Sequence, residues 1–307
     1  MERRGMRQFL AGNETGRGPD PGSRGSVPVT DPPPAKPDSA ATMVDVESEP
    51  LRAELRAAAD HEPARTARRQ ICQTLATGLK QLSESLRVAG YFVGPDRVSG
   101  SSPTGNGDDR LVSLGYLSAT AAALISGADD LIGRGNLYAG SALNRQLVEV
   151  EYLAWAFAED QAEAANWLRS SPEERQRRWA PRHLRKRSRG RFRGSDYHDH
   201  CEFGGHPTPA GARALLGVDS EKSTTLGGDG PSTRELLLFE VAQHGTSVWQ
   251  YLLTGVAVLC LELQWDPKLL VTDGPTKAVG DAEAAWRGEE RLGVVWEARD
   301  SADSIND

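Results

Sequence analysis

Residues 196–207 read DYHDHCEFGGHP and bring Asp196, His198, Asp199, His200, Cys201, Glu202 and His206 within eleven positions. Three of the six histidines in the chain are here. Two chemistries suit such a set. Imidazole, thiolate and carboxylate are the ligands zinc prefers, so His198, His200, Cys201 and His206 form one candidate metal set. Their spacing is not that of a recognised zinc motif, and His198 and His200 share a face only if the segment is a strand. The second chemistry is proton transfer, in which a histidine beside a carboxylate works with Tyr197. A third reading assigns no chemistry: Gly204-Gly205 and His206-Pro207 fix a bend, and the histidines bond to helix ends.

Partners for this segment are found in residues 137–158, LYAGSALNRQLVEVEYLAWAFA, which are apolar almost all round. Arg145 and Glu149 stand four apart there, and Tyr152 continues their stripe. A lone charge is costly to bury on such a helix, so the two are expected to be mostly buried and bonded to each other. The pair either fixes register or holds a histidine or a substrate phosphate. His206, held between a Gly-Gly turn and a proline, is the histidine expected to join them. The candidate catalytic set is therefore Arg145, Glu149, Tyr197 and His206, gathered at a small polar pocket. A carboxylate neighbour would raise the His206 pKa above its ordinary value of about 6.5.

Residues 175–193, RQRRWAPRHLRKRSRGRFR, carry ten positive charges and no acid, which leaves 26 positive and 43 negative charges in the rest of the chain. Arginine bonds phosphate bidentately, and Trp179 and Phe192 add aromatic faces on which bases stack. Arg178, Arg182, Arg185, Lys186, Arg187, Arg189, Arg191 and Arg193 are the candidate nucleic-acid-binding residues. The competing reading is a solvated helix face paired with acids elsewhere.

Composition narrows the classes. The chain has 307 residues and a formal charge of -7, which excludes a protein basic all over but not a local basic patch. Its three cysteines are far apart and form no CxxC pair, which argues against a disulfide scaffold or a zinc ribbon. No cofactor is expected on the leading reading, and zinc belongs to the metal alternative alone. No GxSxG, HExxH, Walker or Rossmann glycine pattern occurs.

The elements that must position these residues read as helices. Ile71, Leu75, Leu79, Leu82 and Leu86 recur at helical steps within 64–92, and Leu111, Leu114, Leu117, Ala121, Leu124, Ala128 and Leu131 do so within 109–134. The 137–158 helix follows. Shorter helices are expected over 160–170 and 172–188, the second opened by Ser171 and Pro172. Helical pieces are expected around 195–203 and 209–216. A helix of about 30 residues is expected from Ser232 to a stop before Asp266-Pro267, and a last one over 279–297. Alternating strand patterns are nearly absent. The fold class is all-α: a helical bundle with crossover connections and flexible internal loops.

Residues 1–44 are too rich in Pro, Gly and Arg to offset their own ordering and are expected to be disordered. Met43 sits at the composition change and reads as the native start. One helical domain spans 46–297, and 298–307 form an acidic disordered tail. No apolar run follows the basic start, so no signal peptide is expected. The apolar run 247–263 contains Gln250 and Glu262 and reads as a buried bundle helix rather than a membrane span. The expected localisation is cytoplasmic.

The helix RQLVEVEYLAWAF, the Arg-rich helix, then Tyr197, Cys201 and GGHP together resemble a group of helical proteins common in high-GC actinobacteria. Arg145, Glu149, Tyr197, Cys201 and His206 match that group's pattern over roughly residues 109–262. More distantly the chain is similar to HEPN-like helical domains, many of which are RNases or accessory parts of toxin–antitoxin and phage-defence systems. The Arg-then-His spacing of that group is met by Arg56 with His61, Arg178 with His183, and Arg193 with His198 and His200. The resemblance implies a nucleic-acid- or defence-associated accessory protein. One alternative is a metal-independent RNase using His206 or His200 with Arg145, and another is a metal-binding helical protein. RNA, another phosphate-containing ligand and a second copy of the chain are the partners left open.

Overall fold

Helix boundaries follow local capping chemistry. Asp108 accepts from the amides of Arg110 and Leu111, Asn136 from Ala139, and Asp160 from Ala162, so each begins a helix. Ser171 and Pro172 open a helix as expected from the sequence, and Glu174 completes a reciprocal capping box with Ser171. The computed structural model describes residues 61–192, 194–209, 211–212 and 231–290. The expectations for 1–44, Met43, most of 209–216 and 298–307 fall outside them, as do Arg193 and the side chains of Asp196 and Asp199.

The helices are α1 (Glu62–Phe92), α2 (Pro95–Ser99), α3 (Asp109–Gly133), α4 (Leu137–Glu159) and α5 (Gln161–Arg169). They continue as α6 (Pro172–Arg178), α7 (Pro181–Arg187), α8 (Gly194–His200), α9 (Pro231–Leu263) and α10 (Asp273–Glu289). A π-helical turn, Cys201–Gly205, extends α8, and a 3-10 turn, Pro267–Leu269, precedes α10. The fold is all-α, and no strand occurs among the described residues.

Two boundaries differ from expectation. The single helix expected over 172–188 is split at Trp179-Ala180, because Pro181 drives Ala180 into an extended conformation. The last helix starts at Asp273, well before 279, because Pro275 lies in its first turn, where a missing N–H costs nothing.

Four long helices make the core. Ile71, Leu75, Leu79, Leu82 and Leu86 of α1 are buried, as the periodicity implies, and face Leu111, Leu114, Leu117 and Ile125 of α3. α3 runs antiparallel to α1, since the Ser118 hydroxyl donates to the Leu79 carbonyl and Gln73 reaches Asp129. α4 and α9 run in the same direction as α1: Asn144 bonds Glu240, Glu151 meets His244, and Cys72 contacts the Leu238 carbonyl. α5 to α8 are therefore a crossover that returns the chain to the start of α9. α10 runs back along α1, where Trp286 packs on Phe239.

Arg68 has no exposed side-chain surface and bonds Glu235 at the start of α9 and Glu290 after α10. By length and composition α3 and α9 could each cross a membrane, with 67% and 44% of their apolar windows buried inside the bundle.

Candidate functional site

The Gly-Gly turn is a packing device. A Cβ on Gly204 would lie 2.4 Å from the backbone of Ser141 and Ala142, and one on Gly205 would lie 2.7 Å from the Arg145 side chain. Only glycines let the π-helical turn press onto α4. That contact brings α8 across the Arg145 stripe.

Arg145, Glu149 and Tyr197 come together as expected. Arg145 Nη2 lies 2.8 Å from Glu149 Oε1 and donates to the Tyr197 hydroxyl at 3.0 Å. Tyr197 in turn donates to Glu149 Oε1 at 3.0 Å. Arg145 Nε faces Cys201 Sγ at 3.4 Å, which brings a fourth residue into the set. The pair is half-buried rather than mostly buried, with 23% of Arg145 and 32% of Glu149 exposed, because α8 covers only one side of the stripe. Burial and the Glu149 charge push the Tyr197 phenol up to about 12, so it stays a hydroxyl at neutral pH.

His206 does not join them. Its backbone N–H closes the π-helical turn on the Cys201 carbonyl, while its side chain is exposed and has no hydrogen-bond or ion-pair partner among the described residues. The turn that packs Gly204 inward carries the next residue back out.

The histidines part in a similar way. α8 is helical, so two-residue spacing separates His198 and His200: His198 is exposed and His200 is buried. His200 lies 3.8 Å from Glu240 and edge-on to His244, with ring centroids 5.2 Å apart. His244 Nδ1 lies 2.7 Å from Glu151 Oε2. His198, His200, Cys201 and His206 do not converge, and no group of three His, Cys, Asp or Glu is placed to hold a metal ion among the described residues.

Sequence reasoning missed this second buried cluster of Glu151, His200, Glu240 and His244. Its members are spread over α4, α8 and α9, among several other polar residues on α4 and α9, so no single position signalled it.

The basic segment splits into two groups. Arg178 and Arg187 converge on Glu163 of α5, whose carboxylate also accepts from the buried Trp179 ring N–H at 2.6 Å. Arg191 donates to the Tyr251 hydroxyl. Arg177, Lys186 and Arg189 are exposed with no partner among the described residues, and exposed Arg182 meets only His183. Arg185 lies over the Tyr197 ring, 4.5 Å from its centroid.

The expected aromatic faces are occupied. Trp179 is 5% exposed, and Phe192 packs on Tyr152 and Trp155 with centroids 4.1 and 5.4 Å away. Both face the core, as Leu184 of the same segment does, because the segment's few large apolar groups are buried while its arginines stay out.

A separate open groove of about 440 Å³ between α1 and α10 is lined by Gln70, Gln73, Thr77, Gln81 and Pro275, and by none of the expected site residues. Comparison with protein-family models, with curated proteins and with solved structures returned no match.

Proposed function

We propose that the chain is an RNA-binding accessory protein whose α6–α7 face takes the phosphate backbone. The observation that carries this reading is the unneutralised charge on that face. Arg177, Arg182, Lys186 and Arg189 are exposed and have no carboxylate partner among the described residues. Glu163 is spent on Arg178 and Arg187, and Glu174 caps its own helix, so neither is bonded to these four cations. Unpaired cations on adjoining short helices suit a phosphate ladder. The resemblance to HEPN-like domains favours RNA over DNA, and RNA as partner goes with a cytoplasmic protein.

Binding rather than cleavage is the reading. The Arg145 set lacks a histidine, since His206 is exposed and His200 engages Glu240 and His244. A labelled single-stranded oligoribonucleotide should therefore bind and stay intact. Four contacts give a slope of log affinity against log salt of roughly -3 on a single strand. Replacing Arg182, Lys186 and Arg189 with Gln should bring it towards -1, as three contacts are lost. A slope near zero in the parent protein rejects the reading.

A further inference from the structure

The set around Tyr197 has more donors than the protein accepts. Arg145 directs Nε at Cys201 and Nη2 at Tyr197 and Glu149, which leaves Nη1 without an acceptor among the described residues. Arg185 has no acceptor at all there, although its Nη1 is shut off from solvent. Its one contact of note is the Tyr197 ring. A buried N–H without an acceptor is unfavourable, and an arginine carries five such donors. Both guanidinium groups lie against one phenol, Arg185 at 4.5 Å and Arg145 at 5.6 Å from its centroid. One carboxylate, Glu149, is bonded in the set, and its Oε1 is already engaged by Arg145 and Tyr197. The set therefore carries one positive charge in excess, with unfilled donors.

Resting on the RNA-binding reading, we propose that Arg185, Arg145 and Tyr197 form a seat for a terminal phosphate monoester of the bound RNA. Arg185 lies on the same short helix as the exposed Arg182 and Lys186, so a strand on that outer face can turn its end inward here. A monoester suits the seat better than an internal diester for two reasons. It carries about -1.5 to -2 charge at neutral pH and three acceptor oxygens, which match the surplus donors. It also protrudes from a chain end, whereas a diester has a ribose on either side that crowds a half-buried site. Arg185, as a planar fork stacked on an aromatic ring, is suited to bidentate contact with it.

The test compares one labelled oligoribonucleotide in three forms: 5′-phosphorylated, 3′-phosphorylated and hydroxyl at both ends. One phosphorylated form should bind the parent protein roughly ten- to a hundredfold more tightly, the gain expected of hydrogen bonds to a charged group. Which end gains identifies the terminus. Arg185→Gln should erase that difference, and Tyr197→Phe, which keeps the ring, should reduce it. Equal affinity for all three forms in the parent, within about twofold, overturns the seat and leaves the RNA-binding reading standing. So does a difference that persists in Arg185→Gln. If no oligoribonucleotide binds, but inorganic phosphate raises the melting temperature of the parent and not of Arg185→Gln, the RNA reading fails and the phosphate seat stands.

Discussion

The Tyr197 phenol is raised from 10.0 to about 12, first by burial and next by the Glu149 charge, with Arg145 pulling the other way. The sign of the resulting pH effect is fixed. Between those two values the unfolded tyrosine has lost its proton and the folded one has kept it, so stability falls as pH rises through that window. Tyr197→Phe should flatten this alkaline limb in urea titrations run from pH 9 upward. It should also remove one high-pH step from the tyrosinate absorbance titration. An alkaline limb that is identical in the variant would mean that the folded Tyr197 phenol is not raised. At this scale the sequence was informative where spacing alone decides contact. Arg145 and Glu149 meet because four residues make one helical turn, and Tyr197 meets them because a charged pair on an apolar helix needs a polar cover. His206 was illegible, because a Gly-Gly-His-Pro string does not say which way the side chain after the turn will point. Trp179 was misread for a related reason: a tryptophan among arginines offers stacking or packing equally until Glu163, distant in sequence, is placed beside its ring N–H.

Among the elements, the π-helical turn has the narrowest tolerance. Gly204 lies against the backbone of Ser141 and Ala142, where no neighbouring side chain can move aside to make room. Gly204→Ala should lift the turn from α4 and part Cys201 from Arg145. The measurement is thiol labelling under native conditions. Cys201, already partly exposed, should react markedly faster in the variant, while Cys72 and Cys260, both fully buried, should not change. Unaltered Cys201 labelling would show that α4 yields instead. The long helices were readable from their apolar periodicity, with Asp108 and Asn136 capping α3 and α4. The short ones were not, since their ends are decided by single prolines. Pro181 ends one helix and opens the next, and Pro275 lies inside the first turn of α10. Pairing between helices left no mark in the sequence at all. That α4 and α9 run parallel depends on Asn144 meeting Glu240 and Glu151 meeting His244, contacts between residues some ninety positions apart.

Across the whole molecule, one buried cation joins the most distant parts of the bundle. Arg68 has no exposed side-chain surface and is held by Glu235 and Glu290. Arg68→Met, which keeps the volume and deletes the charge, leaves Glu235 with Arg65 and Glu290 with the Trp286 ring N–H, and should lower stability by at most about 3–5 kcal/mol in urea unfolding. A loss below about 1 kcal/mol would mean that the acids find water or other partners.

The same three residues set an order of events during synthesis. Glu235 and Glu290 follow Arg68 by 167 and 222 residues. At roughly 5–20 residues per second a ribosome takes about 10–45 s to deliver the second of them. Glu235 arrives first, so the Arg68 site is filled in two steps, and α3 and α4 are made before either carboxylate. The Arg68 contact is therefore complete only after the end of α10 has emerged, while the apolar faces of α1, α3 and α4 are in place to pack before it closes.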